Sequence, residues 1–600
     1  MDKIKTRNEI DSSDKWSIDL IYKDVDSFNK DLKKVELEIE KLIELSEVFT
    51  ESSEKFKEFF IQDEVVSRLL DKLSIYAHCK NDEDKTNGIY QELSGKITNI
   101  YAEYSEKTSS VIPNILKMNK EVVYQYINEQ EDLKPYKHFL DMILSKKEHV
   151  LGEDIEKVLS AYQPVLSASG STSAYLTDAD LEFGTIENEK GEEIEFNEAN
   201  YSTLIVSEDR TLRKNAFEKL YNTYGKVKNT LTSTYSTTVN NDSITSRLRN
   251  YNSSIEMYLK PKNIPIELYN NLIKVVRNNL DVLYEYYDLK KEILNLDEFH
   301  LYDTYVKVIK DSNKKYTFDE AKDIVIEALS IYGEDYTKVL KSAFTDGWID
   351  KYPNKGKRSG AYSTGSYDTL PYVLLNYTNE YNDVSTLAHE LGHSMHSYFA
   401  VKNNPYITAD YPIFLAEIAS TTNELLLSHY MYEKSNNKLE KLNILNEKLD
   451  LFKATIFRQT MFAEFEKNAH EYVDNKNVLT SDYLCDMYYK LNKDYFGDNV
   501  VIDEETKYEW LRIPHFYTPF YVYQYATSLS ISCYVAQNII NDTPGFKDKY
   551  IEFLSSGGRD YPLEVLKIID IDLTDTKVFE SAIDEFKKTL EEFKRIYYEK

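Results

Sequence analysis

Read as apolar and polar positions, the chain is dominated by steps of three and four. From Asp31, "DLKKVELEIEKLIELSEVF" sets Leu32, Val35, Ile39 and Leu42 in one stripe with Lys and Glu between them, and near the far end Ile583, Phe586, Leu590 and Phe593 repeat it. A helix advances about 100° per residue, so this spacing collects apolar side chains on one face that can be buried. Both ends are predicted helical. Period-two, turn-bounded stretches are few: "LEFGTIENEKGEEIEF" (181–196) reads as a hairpin turning at Lys190-Gly191, and "PYVLLNYT" (371–378) as a short buried strand. The pattern predicts a mainly α fold with little sheet.

Two stretches interrupt it. "LSASGSTSAYLTDAD" (166–180) is small and polar and reads as a linker or exposed loop, with a soft boundary near residue 200, after the hairpin. "KYPNKGKRSGAYSTGSYDTLP" (351–371) is glycine-rich and runs into the predicted strand. It is either a plain surface connection or a loop shaping a cleft, with Gly360 as a candidate substrate contact.

Composition narrows the class. With 42% hydrophobic and 29% charged residues, and only 17 Gly and 13 Pro in 600, the chain reads as folded and helix-rich, with room for several domains. Its 102 acidic against 73 basic residues give a formal charge of −29, which repels phosphate backbones and anionic lipid, so nucleic acid and membranes are not expected partners. Cys79, Cys485 and Cys533 lie far apart without CxxC spacing, which supports neither a disulfide framework nor a thiolate metal site and fits a reducing compartment. The N-terminus "MDKIKTRNEIDSSDKWSIDL" lacks the apolar core of a secretory signal, and no uncharged apolar run approaches the roughly 18 residues of a membrane span. A soluble, cytoplasmic protein is expected.

The chemistry concentrates in "TLAHELGHSMHSYFA" (386–400), which holds three of the ten histidines. The stretch has no proline and carries apolar Leu387, Ala388, Leu391 and Met395, so it reads as helix. On a helix His389 and His393, four apart, project from one face at a spacing suited to two imidazoles on one zinc ion. Glu390 sits beside them, off the ligand line but near enough to take a proton from water. Gly392 costs about 1 kcal/mol against Ala in a helix, which suggests close packing there. The bland alternative is a pair of hydrogen-bonded core histidines.

A catalytic zinc takes three protein ligands and keeps one position open. In "YPIFLAEIASTTNELLLSHYMY" (411–432), Glu417 is a carboxylate in an apolar helical stretch, costly to bury without a cation, and is the candidate third ligand. Glu424, two turns on, shares its face and can hydrogen-bond a ligand imidazole. His396 faces the same side as His393 and reads as a supporting or core histidine, with a ligand as the alternative.

These blocks resemble the oligoendopeptidase F group of M3 zinc metallopeptidases, relatives of thimet oligopeptidase. The resemblance rests on "AHELGHSMHSYFA", "FLAEIASTTNELLL", "WIDKYPNKGKRSGAYSTGSYDTLPYVLLNYT", "IPHFYTPFYVYQYATS" (513–528) and "SSGGRDYPLEVLKIIDIDLTD", and more weakly on "TDADLEFGTIENEKGEEIEF". It implies a zincin-type helical peptidase of two lobes enclosing a deep substrate channel, with a small sheet beside the active-site helix and one Zn2+ per chain. It further implies an N-terminal helical region (1–114), an oligopeptidase F lobe (115–185), an M3 catalytic region (203–585) and a terminal helix end (586–600). Short peptides would be the substrates, cut at internal bonds.

In the aromatic block, His515 carries over as a donor to the oxyanion. Tyr523 and Tyr525 are either catalytic donors or aromatic packing, and Tyr517 and Tyr521 are candidate substrate contacts. The strand "PYVLLNYT", with Tyr372, is expected to pair its backbone with an extended peptide. The rival readings are a helical zinc carboxypeptidase with the same ligands and a peptide-binding protein without catalysis; intact Glu390 and Glu417 weigh against the second.

Overall fold

A computed structural model describes residues 4–309 and 314–599. Residues 1–3 of the polar N-terminus and Lys600 of the predicted terminal helix end lie outside these. The chain divides into two compact units: one of Met1–Lys147, Asn313–Glu433 and Ser532–Ile571, the other of Glu148–Ser312, Lys434–Ile531 and Asp572–Lys600. The architecture is mainly helical with two small sheets.

In the first unit, helix α1 (Val25–Val48) starts where Asp24 accepts the Ser27 N–H at 2.8 Å and Ser27 answers with its hydroxyl, a reciprocal cap. The predicted stripe Leu32, Val35, Ile39 and Leu42 is buried, and it shares a core with Phe56, Leu70 and Leu73 of α2 (Ser53–Glu83). Burying each such side chain contributes roughly 1.5–3 kcal/mol.

A three-stranded sheet closes onto this core through Tyr372 and Leu374. Its strands are β1 (Ile349–Asp350), β2 (Tyr362–Thr364) and β3 (Tyr372–Leu374), in the order β1-β3-β2, with β1 parallel and β2 antiparallel to β3. The predicted strand therefore exists, but it is central: both of its edges are taken by neighbours, so it cannot pair with a peptide as expected. The outer strands are β1 and β2.

Helix α3 (Tyr381–Asn403) follows. Asp383 starts it by accepting the N–H groups of Thr378 and Glu380 at 2.8 and 2.9 Å. Helix α4 (Ile413–Lys434) crosses it at Gly392, where a Cβ would come within 2.5 Å of the Ser420 Cα and 2.8 Å of the Ala419 oxygen. Close packing, anticipated from a glycine in a helix, is thus backbone against backbone.

In the second unit the stripe Ile583, Phe586, Leu590 and Phe593 is buried on the helix Lys577–Tyr598, and the hairpin pairs Thr185–Glu187 with Glu193–Glu195 around Gly191 at φ +74°. Segment 166–180, expected as a linker or loop, is helical instead: Ala168–Tyr175 is an α-helix and Leu176–Asp180 ends it in a π-type turn. Ser169, Gly170 and Ser173 face inward, while most of the other small residues are exposed. Ser169 meets Thr238 at 2.9 Å, Thr172 returns its hydroxyl to the Ala168 carbonyl at 2.8 Å, and Gly170 leaves its flank to the Tyr517 side chain.

Candidate metal centre

Helix geometry brings His389 and His393 to one face of α3, and the close crossing at Gly392 brings Glu417 of α4 to meet them. The two Nε2 atoms are 3.2 Å apart, and Glu417 Oε2 lies 3.5 Å from the first and 3.7 Å from the second. Among the described residues this is the one group of three such donors whose ligand atoms all fall within 4.8 Å of one another. Metal bonds of about 2.0–2.2 Å to nitrogen and carboxylate oxygen would set tetrahedral ligand atoms roughly 3.3–3.6 Å apart. The donor set fits one divalent ion.

The surroundings fix the donors. His389 Nδ1–H donates to Glu424 Oε1 at 2.6 Å, which turns the Nε2 lone pair toward the other two ligands, and Ser385 holds the second Glu424 oxygen at 3.2 Å. Ser420 donates to Glu417 Oε2 at 3.1 Å. Burial works to lower the His389 pKa, but the bond to Glu424 and the charges of Glu424, Glu390 and Glu417 carry it up to about 9. His393 is pushed down by burial and by the neighbouring His389. Three carboxylates around two imidazoles make a place that favours added positive charge.

Glu390 is 7% exposed. Burial raises its pKa to about 7, with the charges of Glu417 and Glu424 adding to the effect and His389 and the Ser363 backbone N–H opposing it. A carboxyl poised near neutrality can both accept and return a proton. Strand β2 is therefore the sheet edge next to this group; Ser363 also meets Ser394 of α3 at 2.8 Å.

Sequence comparison bears on what such a site belongs to. The profile for "Peptidase family M3" matches residues 203–585, and that for "Oligopeptidase F" matches 114–183. The chain belongs to peptidase family M3. It is 40% identical to oligopeptidase PepF of Bacillus subtilis over 99% of this chain and 89% of that one. It is 38% identical to group B oligopeptidase PepB of Streptococcus agalactiae over 98% of each. Among solved structures, a Chlamydophila abortus chain superposes with a TM-score of 0.93 at 35% identity, covering 99% of this chain and 100% of that one. Oligoendopeptidase-F from Enterococcus faecium gives 0.74 at 33% identity, covering 95% and 98%. The protein is a metallopeptidase by family membership.

Not every candidate of this M3 chain joins the centre. His396 packs as a core histidine: it is 1% exposed, its ring stacks on Tyr411 with centroids 3.6 Å apart, and its Nδ1 has no hydrogen-bond partner. Burial lowers its pKa to about 3, so it stays neutral. Tyr372, expected to touch substrate, is fully buried with its hydroxyl donated to the Ser17 carbonyl at 3.1 Å, because the central strand turns it into the core. Gly360 sits exposed at φ +82° just before β2, its carbonyl held by the Asn376 amide at 2.7 Å.

The second unit carries the aromatic block. His515 Nε2 and the Tyr525 hydroxyl are 3.3 Å apart, and Tyr521 stands edge-on to Tyr525. Burial lowers the His515 pKa, which favours the neutral ring. Tyr517 shares a 2.7 Å hydrogen bond with Thr234. Tyr523 is 1% exposed, with its ring against Tyr269.

Several supporting residues of the M3 chain escaped sequence reasoning. Ser385 and Ser420 lie one turn from His389 and Glu417 and were findable by helical spacing. Asn423, buried on α4, donates to the Ala388 carbonyl of α3 at 3.1 Å and ties the two helices together. Glu466 accepts the Phe520 N–H at 2.8 Å, where Phe520 holds the left-handed φ of +54°. No local signal announced that contact.

Proposed function

We propose that this protein is a zinc-dependent endopeptidase that hydrolyses internal bonds of short oligopeptides in the cytoplasm. The observation that carries the reading is the convergence of His389, His393 and Glu417 beside the buried Glu390 in a chain of family M3. The printed names of the relatives, oligopeptidase and oligoendopeptidase, support the substrate class. The three cysteines are buried and outside disulfides, in keeping with a reducing compartment, and among the described residues no helix is long and apolar enough to cross a membrane.

His389, His393 and Glu417 would hold the zinc, which when bound polarises a carbonyl and acidifies water. Glu390 takes the proton of the attacking water and returns it to the leaving amine nitrogen. Glu424 keeps His389 in the tautomer that offers Nε2. The outer edge of β2, whose Ser363 N–H faces Glu390, is where the backbone of an extended peptide would lie, so that affinity need not depend on side-chain sequence. To His515 and Tyr525 the same reading gives donors for the oxyanion.

The test is Glu390→Gln with a quenched peptide. The variant is expected to keep one metal ion per chain and lose at least about a thousandfold in kcat/KM, within the range for general acid–base groups. Full activity would remove the proposed base. A peptide with a blocked C-terminus separates the carboxypeptidase alternative: internal cleavage supports the endopeptidase.

A further inference from the structure

Resting on the peptidase reading, a second feature of the first unit acquires a use. The face of α3 that carries His389 and His393 continues in steps of four to Ser397 and Val401, and both line a cavity of about 670 Å³. Tyr411 is a shared wall. Its hydroxyl meets Ser397 Oγ at 2.9 Å and the His393 carbonyl at 3.5 Å, and its ring borders the cavity. The cavity opens one helical turn past a ligand histidine.

Its charged lining is two carboxylates and one lysine, Lys402. Asp71 of α2 and Asp410, just before α4, both line it. Asp71 accepts the hydroxyls of Tyr101 and Tyr406, each at 2.8 Å, and Asp410 accepts the Tyr411 N–H at 2.9 Å. All of these donors are neutral. Among the described residues neither carboxylate forms an ion pair. Partial desolvation raises the carboxyl of Asp410, which is still exposed to solvent, and the like charge of Asp71 raises it further. Of the nearby cations, Arg68, over the Tyr367 ring, is paired with Asp368 at 2.6 Å, whereas exposed Lys402 lines the cavity itself, 5.7 Å from the Tyr398 ring, so that two carboxylates face one ammonium and the lining keeps an acidic excess of one. Apolar Ile75 and Leu370 complete a wall suited to an aliphatic stem behind a charged head.

We infer that this cavity is a subsite for a cationic group of the bound peptide, an arginine or lysine side chain or the α-ammonium terminus, with Asp71 and Asp410 as its counter-charges. The probe is a set of quenched peptides, neutral except for one arginine moved along the sequence, each paired with the same peptide carrying uncharged citrulline. Both N-acetylated and free-amino forms are used. At one position arginine is expected to exceed citrulline by about tenfold in kcat/KM, an ordinary return for a charge-assisted pair, and Asp410→Asn should bring that ratio toward one while leaving the ratios at other positions unchanged. A preference that appears only with the free amine assigns the subsite to the peptide terminus.

Ratios near one at every position, in both forms, from an enzyme that cleaves the peptides overturn the subsite alone. Failure to cleave any peptide overturns the hydrolytic reading instead. The arginine and citrulline peptides are then compared by equilibrium binding, where equal affinities sink the subsite too. If the Asn variant does not fold, the wild-type ratio decides.

Discussion

The metal centre draws its donors from two helices that touch at Gly392, whereas the segment around His515 takes its shape from side chains on several other helices. In the first, the motif is local: His389 and His393 are set by helical repeat, and one close crossing supplies Glu417. In the second, Phe520 sits at a left-handed φ that a bulky residue adopts only when its surroundings hold it there. They do so here: Glu466 accepts its N–H, and its ring packs on His470, Tyr258 and Tyr269. His470 in turn bonds Asp242 at 3.1 Å, and Tyr258 bonds the other Asp242 oxygen at 2.8 Å. One region is specified by spacing and the other by a buried network.

The sharpest way to break the first region without touching its ligands is Glu390→Gln, described above, with the largest expected loss. Next is Glu424→Gln. It weakens the grip on His389 Nδ1, and metal affinity measured against a chelator should fall about 10- to 100-fold, with the three ligands intact. Unchanged affinity would mean that α3 alone orients the ring. Gly392→Ala forces a methyl group into the backbone of α4, where a Cβ has 2.5 Å. Overpacking of this kind costs about 1–3 kcal/mol, and urea unfolding should show it together with weaker metal binding, because separating α3 from α4 moves Glu417 away from the histidines.

The second region predicts the opposite coupling. Glu466→Leu leaves the Phe520 N–H buried without an acceptor, at a cost of about 1–3 kcal/mol. It should lower kcat while metal content stays at the wild-type level. Glu466→Gln, which keeps an acceptor, should recover most of both, since burial already raises the Glu466 pKa to about 8 and leaves the carboxyl neutral at pH 7. Loss of metal from the Leu variant would erase the contrast between the regions.

The smallest effect concerns His396. Its folded pKa, about 3, lies below the ordinary 6.5, so the unfolded chain binds a proton that the folded chain refuses. Its contribution is present above pH 6.5 and is lost as pH falls from there toward 3. Unfolding free energies across that window should fall less steeply for His396→Phe than for the wild type.

The sequence by itself determined what depends on near neighbours. The stripes of 25–48 and 577–598, the hairpin at Gly191 and the facing of His389 and His393 all follow from the periods of helix and strand, which are properties of a few successive residues. Even Gly392 signalled close packing before its partner was known. Tertiary structure decided the rest, because it depends on what arrives from far along the chain. The central position of β3, which removes residues 372–374 from peptide pairing and buries Tyr372, follows from β1 and β2 occupying its edges. The helical segment 168–175 is docked by one face only, where Ser169 meets Thr238 and Gly170 meets Tyr517, partners that lie far along the chain. The burial of His396 under Tyr411 and the left-handed turn at Phe520 have the same origin: burial is a property of the assembled neighbourhood, and no period along the chain encodes it.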